Sequence, residues 1–264
     1  GNPTGEVLPL SLPEVIKRGL RYNLGALLSE QSTEATRGAR LMALSQLLPR
    51  VTLGLNELQE QVNLAAFGFR PSPGMKTVVG PFNVFDVRAY VTQPVLDLAA
   101  LNRYRAAGEN VKAAQLDNEN TRDLVVFVCA NLYLQAVASN SRIEATRAQV
   151  RTAQILFDLA VDQKTAGVSP GIEVLRAQVE LQAQQQRLIV AEDQYAKDML
   201  ALARAIGLPL GQEFKLTDGM PYAPLPAMSI EETVQRAYRE RPDYQSAQAR
   251  VRSAGSERKA ARAG

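Results

Sequence analysis

The side chains that could do acid–base or metal chemistry are few, and their spacing suits neither. Histidine is absent, so the residue that titrates near neutral pH and most often ligates metals is missing. Cys129 is the single cysteine, which leaves no partner for a disulfide within this chain. It lies in the apolar run LVVFVCANLYL, residues 124–134, a setting that predicts a buried small residue rather than a reactive thiolate. A serine or cysteine nucleophile would lack its usual base. Aspartates and glutamates are scattered over helical patterns as solvated charge. The glycines near 68–80 are interrupted by proline and lack the strand-to-helix setting of a phosphate loop. The expectation is a protein that is not an enzyme and takes no metal and no cofactor.

Thirty Lys and Arg stand against 27 Asp and Glu, a formal net charge of +3 with the two signs interleaved. Nucleic-acid binding wants a one-signed stripe, and none is expected here. The chain is 46% apolar but only 6% aromatic, with no tryptophan, which disfavours a thick globular core. Ala, Gln, Leu and Arg dominate, the palette of long helices packed through small side chains. The run 124–134 is shorter than the roughly 20 residues a helix needs to cross a bilayer. No signal peptide is read, and the opening GNPTG suggests the start of a processed or truncated chain.

Two stretches are alike. Aligning Ser11 with Ser229 also aligns Glu14 with Glu232, Arg18 with Arg236, Arg21 with Arg239 and Arg40 with Arg258. Each copy opens with a capping box, a Ser whose hydroxyl covers an orphan amide and a Glu three residues on that reaches back. The shared offset of 218 residues predicts a long internal repeat. Gly264 then aligns with Gln46, so the second copy is expected to be cut short. The domain reading is an extension over 1–10, a first repeat over 11–228, and the opening helices of a truncated second repeat over 229–264.

Within the first repeat the pattern predicts a helix over 11–46 with a break near Asn23 to Gly25, ended by Pro49. Strands follow at about 50–64 and 82–93, then a long helix over 98–166, a helix over 170–206 and a connecting loop over 207–228. Between Leu98 and Ala166 there is no proline and a single glycine, Gly108, which allows a helix about 100 Å long at 1.5 Å per residue. Ala136, Ser139, Ile143, Thr146, Val150, Ala153, Phe157 and Ala160 step by three and four. Val174, Ala177, Leu181, Gln184, Leu188, Ala191, Tyr195 and Leu202 continue the seam beyond the turn, as coiled-coil rows with small residues do.

The strands alternate. Val51, Leu53 and Leu55 face one way, as do Phe85, Val87, Ala89 and Val91, while Asp86, Arg88, Tyr90 and Thr92 face the other. A hairpin with its proline ends level sets 51/53/55 beside 91/89/87. That pattern fits a half-buried hairpin on a soluble domain or a pair of transmembrane barrel strands, apolar outward and polar inward. At the other turn, Gly167 suits the left-handed position that ends a helix, Ser169 the cap of the next, and Pro170 its first turn.

QPVLDLAALNRYRAA (93–107), AGVSPGIEVLRAQVELQ (166–182), ALARAIGLPL (201–210) and SIEETVQRAYRERPDYQSAQARVRSAGSERKAARAG (229–264) together resemble the TolC-like outer-membrane efflux proteins. The resemblance covers nearly the whole chain. It implies a mainly α fold of long antiparallel coiled-coil helices forming an α-helical barrel protomer, with one two-stranded β-hairpin belonging to a trimeric outer-membrane β-barrel. The chain is then part of a passive conduit of a tripartite efflux or type I secretion system, in the cell outer membrane with a periplasmic helical extension. Its implied partners are two further copies, a periplasmic adaptor, an inner-membrane pump and outer-membrane lipid.

Residue by residue, the resemblance assigns Thr165, Gly167, Val168 and Ser169 to adaptor docking, and Val51, Leu53, Leu55, Phe85, Val87, Ala89 and Val91 to the lipid face. The family's barrel has twelve strands. Two strands from each of three chains supply half of them, and the family's aperture lies in the missing repeat. The other readings are a periplasmic coiled-coil adaptor, whose flanking lipoyl-like halves have no counterpart here, and a structural spacer.

Overall fold

The computed structural model describes residues 5–69, 72–209, 211–219, 224 and 228–264. Its elements are β1 (Leu8–Leu10), α1 (Leu12–Tyr22), α2 (Leu24–Ser45), β2 (Arg50–Asn63) and β3 (Val78–Thr92). They continue with α3 (Leu98–Thr165), α4 (Gly171–Ala205), β4 (Phe214–Leu216), α5 (Ile230–Glu240) and α6 (Pro242–Ala263). The chain folds as two compact units, Gly1–Ala35 with Lys112–Ala249, and Thr36–Val111 with Arg250–Gly264.

The first unit is built on the middle of α3. Val125, Cys129, Tyr133 and Val137 project from it at helical spacing and bury against Leu10, Val15 and Ala26 from one side of the chain and Leu202 and Ile206 from the other. Small residues let the backbones approach. A Cβ on Gly19 of α1 would stand 2.5 Å from Cys129 Sγ. The chain between α1 and α2 breaks at Asn23, which is extended at φ −68° and ψ 126°. Its side-chain oxygen accepts from Gly25 N–H at 2.9 Å and its amide donates to the Ala205 carbonyl at 3.1 Å. The end of α4 is thereby tied to the α1–α2 break. The helix expected over 11–46 is therefore two helices, separated where the sequence suggested a break.

The seam is buried or half-buried along its length in this unit. Ala136, Ile143 and Ala153 on α3 and Leu181, Ala191 and Leu202 on α4 are all buried. The sequence reading stepped from Tyr195 to Leu202 and passed over Asp198, which occupies the seam between them. Its carboxylate accepts from Gln135 at 3.0 Å, Gln194 at 2.8 Å and the Ser139 hydroxyl.

Two strands were not anticipated. β1 and β4 pair in parallel, Leu8 with Phe214 and Leu10 with Leu216. Tyr133 locks them from α3, its hydroxyl donating to the Leu10 carbonyl at 3.3 Å and accepting from Asp218 N–H at 3.1 Å. Burial raises the Tyr133 phenol pKa, so it stays a proton donor. Parts of the reading's N-terminal extension and connecting loop are thus one structured pair.

The second unit holds the β2–β3 hairpin and short lengths of helix. Ser253 Oγ on α6 donates to the Ala106 carbonyl at 3.1 Å, Arg252 pairs with Glu109 at 2.8 Å, and Arg40 on α2 bonds the Tyr104 hydroxyl at 2.9 Å. Helices α1 and α5 are both 11 residues long, and α2 and α6 both 22. Their first residues, Leu12 and Ile230, and Leu24 and Pro242, stand at the same offset as the two capping serines.

Candidate functional site

The hairpin forms in the register its prolines predict: Val51 opposite Val91, Leu53 opposite Ala89, Leu55 opposite Val87. Phe85 stands opposite Glu57. All seven side chains of this row are exposed, Leu53 at 72% and Val91 at 69%. The opposite face carries Thr52, Asn56, Tyr90 and the pair Arg88–Asp86 at 2.7 Å. From the proline ends as far as Leu55 and Phe85 one face is therefore apolar and exposed and the other polar and internally paired; beyond them Glu57, Gln59 and Asn83 share the first face and Leu58, Val84 and Phe82 the second.

β3 begins at Val78, not near residue 82 as expected. The strand absorbs Gly80 and Pro81 at a register shift between Glu60 and Val62, where an unpaired position accommodates a residue with no N–H. Gly80 has φ +117°, and a Cβ there would lie 2.7 Å from the Glu60 carbonyl oxygen. Residues 70 and 71 of the connection lie outside the described residues.

The α3–α4 turn ends α3 in a Schellman arrangement. Gly167 has φ +74° and donates to the Lys164 carbonyl, while Val168 N–H donates to the Gln163 carbonyl, both at 3.0 Å. A Cβ on Gly167 would meet nothing within 4 Å, so the glycine answers to backbone conformation and the space beside it is open. Val168 is 76% exposed. The Thr165 hydroxyl is used internally, donating to Val161 O at 2.9 Å. Ser169 does not cap α4. The helix starts one residue later than expected, at Gly171, with the extended Pro170 at the cap position and no side-chain bond there.

Elsewhere α3 leaves an outer apolar face, Leu124, Phe127 and Val128, at 53%, 66% and 45% exposure, in the same apolar run whose Cys129 is buried as expected. Part of α3 is long and apolar enough to cross a membrane by length and composition alone, and most of that stretch is not buried. Its inward residues are spoken for by the core around Cys129, whose thiol pKa burial pushes up. Among the described residues no group of three or more His, Cys, Asp or Glu stands together as a metal site would require.

Comparison with known proteins converges on one family. Residues 27–208 match the family model described as outer membrane efflux protein. The pyoverdine export outer membrane protein OpmQ of Pseudomonas putida is 27% identical over 159 residues, 60% of this chain and 33% of its own length. The Pseudomonas aeruginosa protein of the same name is 26% identical over 61% of this chain and 34% of its own. These matches span about a third of the curated relatives.

Among solved structures, the Campylobacter jejuni CmeC outer membrane channel superposes with a TM-score of 0.78 at 17% identity, over 95% of this chain and 52% of that one. CusC, whose structures concern folding and transmembrane channel formation, gives 0.79 at 15% identity over 100% and 59%. These last likenesses concern fold alone. The helical seam, the hairpin register and the match over most of its length make this chain a member of the outer membrane efflux protein family.

Proposed function

We propose that this chain is the first repeat, and the opening of a second, of an outer-membrane export conduit. Its β2–β3 hairpin contributes two strands to a barrel shared by three copies, and its helices contribute to a periplasmic tunnel. The conduit is passive, with the energy of transport supplied by an inner-membrane pump through a periplasmic adaptor. Thr165, Gly167, Val168 and Ser169 form the adaptor-contacting turn. The open space beside Gly167 and the outward Val168 support that assignment. The curated relatives are named for export of pyoverdine, which favours efflux of a small molecule over secretion of a protein.

The observation that carries the reading is the uncovered apolar row of the hairpin. A lone two-stranded sheet is marginal in water, and in lipid both of its open edges must be paired by closing a barrel. The test is made on the full-length protein in its own envelope. Leu53→Arg puts a charge on the lipid face at a cost of about 2–4 kcal/mol near the bilayer midplane, whereas Thr52→Arg puts the same charge on the lumen side. Folded protein in the outer-membrane fraction should fall for the first and hold for the second. Val168→Asp should leave that fraction unchanged but abolish cross-linking to the adaptor and export. Equal assembly of the Leu53 and Thr52 variants would sink the barrel reading.

A further inference from the structure

We infer that the helix ends at the foot of the hairpin bind anionic phospholipid, with the groove of Arg37, Arg40, Leu41, Leu44 and Tyr104 as the site of one headgroup phosphate. The inference rests on the barrel reading above. It starts from the distribution of charge. The whole chain carries only +3. In the helical segments of the second unit, residues 36–49, 93–111 and 250–264, nine Lys and Arg stand against three Asp and Glu. That is a balance of +6, so the remainder of the chain is net acidic. Of the three acids, Glu109 is paired with Arg252, and Asp97 accepts from the Ala100 N–H at the start of α3.

These segments meet at one level. Gln93, just past β3, donates to the Leu47 carbonyl just past α2 at 3.2 Å. The end of α6 reaches the first turn of α3, where a Cβ on Gly264 would stand 3.8 Å from that of Ala99. The connections between strands and helices carry exposed apolar side chains, Leu48, Val95 and Leu96, which suits hydrocarbon down to the helix ends. Arg40 is five residues from the end of α2 and Tyr104 six from the start of α3, about 8–9 Å along each helix. A headgroup layer extends about 5–8 Å beyond the hydrocarbon on each side. An arginine rooted there reaches the phosphates with its stem laid over apolar neighbours, and a one-signed cluster beside a membrane draws anionic lipid.

The groove measures about 370 Å³, at the small end of ligand sites. Its cation is held in place. Arg40 Nη2 donates to the Tyr104 hydroxyl at 2.9 Å, and the guanidinium lies 5.1 Å from the centre of that ring. The tyrosine oxygen accepts this bond, which leaves the phenol hydrogen to donate to an anion, and the guanidinium keeps most of its N–H groups. A planar guanidinium beside a hydroxyl is a donor set that takes phosphate through parallel bonds. Arg258 of α6 stands at the position of Arg40 in the second copy, so the same cation recurs in both.

The experiment titrates full-length protein in detergent with dioleoylphosphatidylglycerol and counts bound lipid by native mass measurement. Arg40→Gln should weaken binding about tenfold or more. Arg40→Lys should fall between the two, because an ammonium keeps the charge but not the fork. Tyr104→Phe should lose several-fold, and it removes so little that it reads the site even where Arg40→Gln does not assemble. Arg187→Gln, on α4 in the first unit, should bind as the parent does. Dioleoylphosphatidylethanolamine, with a phosphate but no net charge, should bind more weakly, and equimolar inorganic phosphate should displace neither lipid. Undiminished phosphatidylglycerol binding by Tyr104→Phe and the Arg40 variants, or an equal loss in Arg187→Gln, would overturn the inference. Displacement by inorganic phosphate would overturn it too, by making the groove a site for free anions. None of these outcomes bears on the barrel, which falls only if the Leu53 and Thr52 variants assemble equally.

Discussion

At the scale of single residues, contact distances decide which positions tolerate change. Gly19 of α1 lies close against Cys129 of α3: a methyl at Gly19 would stand 2.5 Å from the sulfur and 3.4 Å from Val125. Gly19→Ala gains about 1 kcal/mol of helix propensity but overpacks a filled core at a cost of about 1–3 kcal/mol. The net outcome should be destabilisation. Cys129→Ala alone leaves a cavity and destabilises as well. In the double variant the methyl enters the space the sulfur vacates, so it should be more stable than the sum of the single changes by at least about 1 kcal/mol. Denaturant unfolding of the four proteins checks this, and additivity within about 0.5 kcal/mol would show that the two side chains do not share that space.

At the scale of elements, helix starts carry a pH dependence. The Glu232 carboxylate accepts from Ser229 N–H at 3.0 Å, and Glu232 N–H donates to Ser229 Oγ at 3.1 Å. In the first copy Glu14 accepts from both the amide and the hydroxyl of Ser11, each at 2.9 Å. Hydrogen bonds from the serine amide first, then the hydroxyl, hold both carboxyls below the ordinary 4.5. Because the folded value is the lower one, the stabilisation is present above pH 4.5 and is lost as pH falls through the folded value. Glu14→Gln and Glu232→Gln should therefore unfold at lower temperature than the parent at pH 7 and converge with it near pH 3, as melting curves across that range would reveal. A gap that persisted in acid would assign the stabilisation to something other than ionised carboxylates.

The same elements show what was legible in the sequence. Prolines at 49 and 94 and strict alternation fixed which residues of β2 and β3 meet, and a glycine before a new periodic run marked the end of α3. The β1–β4 pair left no trace, because three-residue strands separated by some two hundred positions have no periodicity and depend on Tyr133 for their register. Asp198 was passed over because seam reading selects apolar side chains, and only Gln135, Ser139 and Gln194 together make a buried carboxylate tolerable. The inversion in the hairpin was available in the parity of Leu58 and Val84 against Leu55 and Val87, but it acquires meaning only with the register in hand.

At the scale of the whole molecule, the surface points to partners. The chain exposes 19023 Å². A compact monomer of 28.8 kDa would expose about 11,300 Å², and two separate compact units of its sizes about 13,500 Å². Several thousand Å² are left that a stable fold of this mass would ordinarily bury, and much of it is apolar, as on the outer face of α3 at Leu124, Phe127 and Val128. Contiguous patches of this kind mark association surfaces. If copies of the chain meet there, burying Phe127 contributes about 2 kcal/mol per interface, roughly a thirtyfold change in association constant. Phe127→Glu in the full-length protein should shift detergent-solubilised material from trimer toward monomer in native mass measurements, while Phe127→Leu should retain the trimer. Helix content should not change for either, since the ring touches no core at 66% exposure. A Phe127→Glu protein that remained fully trimeric would move the subunit contact off this face of α3 and onto the other exposed apolar positions of the helices, Leu200 or Val179, which the same measurement would then sort.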